Sequence, residues 1–285
     1  MSLRVLGRHV RVACHDASWV DIVRANYAAM RSPASSCAPD LEFVITGHAD
    51  SPSQTLWQRG GDRVAESCAS TLLYRLEKAV TVSLQRLRPD LYFLHAAALT
   101  RSGRAYLLVG DSGHGKSTTA WGLLHHGFGY LSDELGPIEL STLRVQPYPH
   151  ALCLKQPPPA GYDLPAFGPI DLGDTLHVPV NAMPAGVADA CELGAVVFVR
   201  HDRSLKSPRW RELSAAEASA RMYAQTLNAL AHPGQGVDAV VDVATRVPCY
   251  ALDTADLRSS CELLSDRLSA RASRTRRDPS ALQPA

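Results

Sequence analysis

Apolar positions recur along the chain with two different periods, and the alternation between them sets out the expected elements. Residues 3–14 (LRVLGRHVRVAC) alternate loosely between apolar and polar, as a half-buried strand does. From Trp19 to Met30 the spacing becomes helical, with Ser18 placed to cap the N-terminus. The Ser-, Pro- and Ala-rich stretch 32–40 reads as a loop leading into a short strand, 41–45. Residues 70–87 predict a helix with one apolar stripe, stopped by Arg88-Pro89-Asp90. A domain boundary is expected at this stop, which gives a small N-terminal α+β domain over 1–88.

The texture then changes. Residues 93–100 predict an apolar strand, 101–104 a polar turn and 105–109 a second apolar strand. A glycine-rich loop follows, then a helix from Lys116 to about His126, then a strand 130–132 that ends in Asp133-Glu134. Residues 138–155 read as short strands broken at Pro147 and Pro149, and 156–190 as a long, partly ordered loop region rich in Pro, Gly and Asp. The run 193–200 (LGAVVFVR) predicts a strand buried on both faces, as in a parallel or mixed sheet. Ser214 with Glu217 three residues on forms a capping box and opens a helix to Ala231. A helix over 237–245, a strand 249–252 and a helix over 254–269 complete an α/β domain spanning 89–268. The Arg-, Ser- and Pro-rich tail, 269–285, is expected to be disordered.

Composition narrows the function classes. The 285 residues carry 29 Lys+Arg against 28 Asp+Glu, a formal charge of +1, which argues against a nucleic-acid binder working through bulk electrostatics. With 46% hydrophobic and 20% charged residues the chain reads as globular. No apolar run approaches the roughly 18 residues a membrane helix needs. The opening MSLRVLGRHVRV is too polar for the apolar segment of a signal peptide, so a cytoplasmic location is expected. Seven scattered cysteines without a Cys-x-x-Cys pair point to reduced thiols rather than disulfides or zinc. Only four lysines occur, Lys78, Lys116, Lys155 and Lys206.

One of these lysines lies in the strongest motif. Residues 110–117 read Gly110-Asp111-Ser112-Gly113-His114-Gly115-Lys116-Ser117, a full match to the phosphate-binding pattern G-x-x-x-x-G-K-[ST]. Glycines allow backbone N–H groups to turn inward around phosphate oxygens, and the following helix aims its positive end at the same place. Lys116 supplies a mobile charge, the Ser117 hydroxyl suits Mg²⁺, and Thr118 continues the loop into the helix. The expected cofactors are a nucleoside triphosphate, taken as ATP although no motif here reads adenine over guanine, and Mg²⁺. Asp133 and Glu134, at the end of the next strand, offer one carboxylate to orient an acceptor hydroxyl and one to serve the metal. If the turn is centred between Ser102 and Gly103, paired residues sum to 205, and His95 falls opposite Gly110 at the loop entrance. A histidine on an apolar strand is as readily structural as functional there.

This set of residues resembles the catalytic domain of the HPr kinase/phosphorylase family. The resemblance rests on the His95-Ala-Ala-Ala strand, the glycine-rich loop and Leu131-Ser-Asp-Glu, and covers roughly residues 92–140. It implies a fold of the HPr-kinase and phosphoenolpyruvate-carboxykinase type and ATP- and Mg-dependent phosphorylation of a serine hydroxyl. Asp133 would act as base, Glu134 would bind magnesium with Ser117, and His95 would assist. The family loop usually continues Ser-Glu where this chain has Ser117-Thr118, and its acid pair is usually Asp-Asp. The chain looks more like divergent HPr-kinase-related proteins found beside exosortase systems and in lasso-peptide gene clusters, the latter phosphorylating a serine of a precursor peptide. The expected partner is thus a peptide or small protein, with no nucleic acid and no membrane; a homo-oligomer is suggested by analogy. Two other readings stay open, a nucleotide-binding regulatory or assembly module without transfer, and a small-molecule kinase.

Weaker candidates are Lys155 at a strand end before a proline run, Asp174, Thr175 and His177 in the long loop, and Arg200 closing the buried strand. Lys78 and Lys206 read as solvated charges. Cys14-His15 and His125-His126 lack a metal-ligand pattern.

Overall fold

Two short strands, β1 (Ser2–Val5) and β2 (Arg8–Cys14), pair antiparallel through a turn at Leu6-Gly7, where both residues take positive φ. The computed structural model describes residues 1–34 and 36–277, and side chains as far as Ser269. Helix α1 (Ala17–Asn26) follows, and its cap is Asp16 rather than the expected Ser18. The Asp16 carboxylate accepts from the Ser18 backbone N–H at 2.9 Å and from its hydroxyl at 2.5 Å. A negative charge at a helix start adds attraction to the macrodipole that a hydroxyl lacks. The helix stops at Asn26, and a 3₁₀ turn, Ala28–Met30, takes up the rest of the expected span.

Strand β3 (Leu41–Thr46) runs parallel to β2, and β4 (Gln54–Gln58) and β5 (Arg63–Glu66) add antiparallel, giving the order β1-β2-β3-β4-β5. The apolar pattern left β4 and β5 unassigned, because they are short and β5 is mostly exposed. Helix α2 (Ala69–Leu87) buries Leu72, Leu76, Val80 and Leu84, one residue per turn, and packs on β3, β4 and β5.

The next stretch builds a second sheet. β6 (Leu91–Leu94) is followed by the hairpin β7 (Ala96–Arg101) and β8 (Arg104–Val109), whose tight turn places Ser102 and Gly103 at positive φ. Its register pairs Ala96 with Val109 and Arg101 with Arg104, so paired positions sum to 205 as the sequence arithmetic requires. Helix α3 (Lys116–His125) leads to β9 (Gly129–Ser132), which pairs antiparallel with β7. The short β10 (Gly136–Glu139) and β11 (Arg144–Val145) then pair with each other.

A small third sheet joins one of the short strands expected over 138–155 to two strands within 156–190, a segment that is otherwise mostly irregular, as expected. β12 (Leu152–Leu154), β13 (Ile170–Asp171) and β14 (Leu176–Val178) pair in the order β12-β14-β13. β13 and β14 span two and three residues, too short for alternation to register in the sequence. His177 on β14 is buried and hydrogen-bonds Asn26 Oδ1 at 2.8 Å and Thr175 Oγ1 at 3.0 Å.

The chain then forms β15 (Cys191–His201), β16 (Arg209–Glu212), α4 (Ala215–Ala224), α5 (Val237–Arg246), β17 (Cys249–Thr254) and α6 (Leu257–Arg277). β15 is the centre of the second sheet, parallel to β8 on one side and to β17 on the other. Ala195, Val196, Val197, Phe198 and Val199 are all buried, as the unbroken apolar run predicts. Alternation divides the sheet's two faces. Leu107, Val109, Val196 and Phe198 share one core with Ala218 and Met222 of α4 and with Val240 and Val243 of α5. α3 packs on β7 and β8 and against α6. Two of the outer strands gain a further backbone partner: Leu227 N–H donates to the Phe93 carbonyl beside β6, and Ala188 N–H to the Tyr130 carbonyl beside β9.

Ser214 caps α4 by accepting from the Glu217 N–H at 3.2 Å. The Glu217 carboxylate, however, pairs with Arg211 and Arg221 instead of completing the box. The helix ends at Ala224, not Ala231. α6 continues as helix to Arg277, which replaces the disorder expected for 269–277; the rest of that tail lies outside the described residues. The chain divides into two compact units, Met1–Leu91 with Tyr148–Gly186, and Tyr92–Pro147 with the chain from Val187 onward. Segment 148–186, which the sequence groups with the second domain, thus folds with the first.

Candidate functional site

Strand polarity gathers the candidate residues at one edge of the second sheet. β8, β9, β15 and β17 all end there, and β7 begins there. The ends of parallel strands are where α/β folds present loops to ligands.

The glycine-rich loop leaves β8 at this edge. Gly110 passes so close to β15 that a Cβ there would lie 2.5 Å from the Val199 carbonyl oxygen, and only glycine fits. Gly115 caps α3 with φ +86°, a left-handed turn that brings the first N–H groups of the helix round to the loop. Lys116 is 7% exposed, and its ammonium donates to the carbonyls of Gly110 at 2.7 Å and Asp111 at 3.3 Å. The cation is therefore held across the loop rather than extended into solvent. The N–H groups of a helix start and a buried ammonium at one point suit an anion.

His95 lies between β6 and β7 at the level of Gly110, as the hairpin register requires. Its backbone N–H donates to the Gln225 carbonyl at 2.8 Å, and its Nε2 lies 3.2 Å from Glu134 Oε2. The acid pair divides by exposure: Asp133 is fully buried, while the Glu134 side chain is 51% exposed. A solvated strand end describes Glu134 but not Asp133.

Two residues the sequence did not single out belong to the same edge. Gln225, at the end of α4, donates from Nε2 to Asp111 Oδ1 at 2.6 Å, so one residue holds both the loop and the His95 backbone. His201, at the end of β15, has its Cβ 3.6 Å from the place a Gly115 Cβ would occupy, and its Nδ1 lies 3.1 Å from Thr254 Oγ1. Its position one residue past Arg200, at the end of a strand buried on both faces, was the available signal. Nothing in the sequence flagged Gln225, because its role comes from a helix ending where none was expected to.

The structure does not bring every candidate here. Lys155, Asp174, Thr175 and His177 belong to the first unit. There His177 is a buried hydrogen-bonding residue, and Asp174 accepts from the Ser70 hydroxyl at 3.4 Å. Arg200 does lie at the edge, but it is engaged with Asp253 at 2.9 Å. Among the described residues no group of three or more His, Cys, Asp or Glu side chains converges into a metal cage, and no helix is long and apolar enough to cross a membrane.

No protein-family model matches the sequence, and no curated protein does. Among solved structures the chain is similar to one described as the Hpr(Ser) kinase/phosphatase from Coxiella burnetii. That match has 14% identity and a TM-score of 0.38, and covers 66% of this chain and 95% of the other.

Proposed function

We propose that the protein is an ATP- and Mg²⁺-dependent kinase of the HPr-kinase type that phosphorylates a hydroxyl, a serine of a peptide or small protein such as a lasso-peptide precursor. The observation that carries this reading is the glycine-rich loop, with Lys116 buried across it, on the same sheet edge as the Asp133-Glu134 pair. A module that only bound nucleotide would have less need of the two carboxylates.

The loop N–H groups from Gly110 to Thr118 and the start of α3 receive the phosphates, and Lys116 turns from the loop carbonyls to the outer ones. The Ser117 hydroxyl and the Glu134 carboxylate would hold Mg²⁺, a cation that takes oxygen ligands. When bound, it neutralises charge on the transferring group. The acceptor oxygen forms a bond to the γ-phosphorus as the bond to the β-bridging oxygen breaks. The hydroxyl proton passes to Asp133, and ADP leaves. His95, against Glu134, orients that carboxylate. Asp133 is buried, so an acceptor must be inserted to reach it, and bulk water is kept from the base. Slow ATP hydrolysis in the absence of acceptor follows from this.

The test incubates the whole protein with ATP, Mg²⁺ and serine-bearing peptides, alongside small hydroxylated acceptors, and reads intact mass. Gain of a phosphoryl group on a peptide, abolished in Asp133→Asn while ATP still binds, is the expected result. Tight nucleotide binding with no transfer to any acceptor would replace the kinase by a binding module, and no nucleotide binding would overturn both.

A further inference from the structure

Beyond the acid pair and the loop, the same sheet edge carries a feature with no part in transfer, the connection between β15 and β16. It begins with His201 and continues Asp202-Arg203-Ser204-Leu205-Lys206-Ser207-Pro208 to Arg209. Arg209 pairs in register with Asp253, next to Thr254, so both ends of the connection sit at this edge. Its two carboxylate neighbours are occupied: Asp202 Oδ1 accepts from the Ser204 N–H at 2.9 Å and its hydroxyl at 2.6 Å, and Asp253 accepts from Arg200. Arg203 and Lys206 are exposed and lie within 4.0 Å of no carboxylate among the described residues. His201 uses Nδ1 on Thr254, and its Nε2 makes no hydrogen bond among the described residues, although the residue stands beside Gly115 at the start of α3.

Position decides what this surface meets. Across the sheet the strands run β9, β7, β8, β15, β17, β16. The acid pair, at the end of β9, is on one side of the loop and the β15–β16 connection is on the other. Neighbouring strands lie about 4.8 Å apart, so roughly 10 Å separates β9 from β8 and roughly 14 Å separates β8 from β16. In phosphoryl transfer the attacking and leaving oxygens are in line across the γ-phosphorus, so the leaving nucleotide points away from the base. Resting on the kinase reading, we infer that the β15–β16 connection holds the nucleoside end of ATP. His201 Nε2 bonds the ribose or base, and Arg203 with Lys206 draws in the polyphosphate through its charge.

The experiment titrates the whole protein with ATP and with inorganic tripolyphosphate, which has the phosphates and lacks the nucleoside. Wild type is expected to bind ATP more tightly than tripolyphosphate. His201→Ala should weaken ATP roughly tenfold, the worth of one hydrogen bond to a ligand, and leave tripolyphosphate unchanged. Arg203→Glu/Lys206→Glu should weaken both ligands and flatten their salt dependence. Equal loss of both ligands in His201→Ala would show a disturbed loop and overturn the assignment, as would an unchanged ATP affinity. Should wild type bind neither ligand, the kinase reading itself falls; should it bind both while His201→Ala behaves as wild type, only this inference does.

Discussion

At the residue scale the loop depends on two contacts of opposite kind. Gly110 is fixed by what it lacks: Gly110→Ala would press a methyl against the Val199 carbonyl, backbone that cannot swing aside. We expect a loss of about 1–3 kcal/mol in stability and of ATP binding, read by thermal melting and nucleotide titration. Lys116 is fixed by what it reaches, and Lys116→Ala should lower transfer on the order of a hundredfold while the fold survives. Thiols provide a separate check on burial. Cys249 and Cys261 are pushed up to about 12 by burial, whereas hydrogen bonding to Ser70 and Thr71 lowers the exposed Cys68 below its usual value. Cys68 should therefore alkylate rapidly at neutral pH and the other two only after unfolding, as peptide mass mapping would show. The sequence placed His95 through hairpin arithmetic because a two-residue turn fixes register rigidly. It missed His201 and Gln225, whose places at this edge arise from a strand and a helix brought alongside from far along the chain.

Elements were legible where one face or one period dominates. The stripe of α2 and the two-sided run of β15 are long enough to carry their own signal, whereas β4, β5, β13 and β14 are too short. The stripe also sets the cost of breaking it. Leu76 is fully buried between turns, so Leu76→Ala should cost about 2–5 kcal/mol in denaturant unfolding, the range depending on how far the sheet relaxes. At the start of α4 the Glu217 carboxyl is held down from its ordinary 4.5 to about 2, first by the hydrogen bond from Arg211 and then by the charges of Arg211 and Arg221. A depressed carboxyl contributes stability that is present above its unfolded value and lost as pH falls through about 2. Glu217→Gln should therefore flatten the stability profile between those two values while leaving its shape near neutrality unchanged.

At the scale of the whole molecule, sequence texture located a change near residue 88 but could not show that the chain comes back. Membership of 148–186 in the first unit depends on contacts such as His150 with Glu77 at 2.8 Å and the Ala151 N–H with the Asn26 carbonyl at 2.8 Å, which no local pattern encodes. A fragment cut at 89 would keep that segment without its partners, leaving Leu152, Leu154 and Val178 uncovered. We expect residues 89–285 alone to aggregate, and a fragment with 148–186 replaced by a short Gly/Ser linker to stay monodisperse in size-exclusion chromatography.

The same excursion bears on synthesis at the ribosome. β8 and the glycine-rich loop emerge early, but the strand whose carbonyl walls Gly110 follows only after the chain has crossed into the other unit and returned. Pairings so distant in sequence form slowly. A nascent chain thus exposes an unframed loop while the residues between Ser117 and β15 are being made, and nucleotide capture would mark the moment at which β15 has entered the sheet.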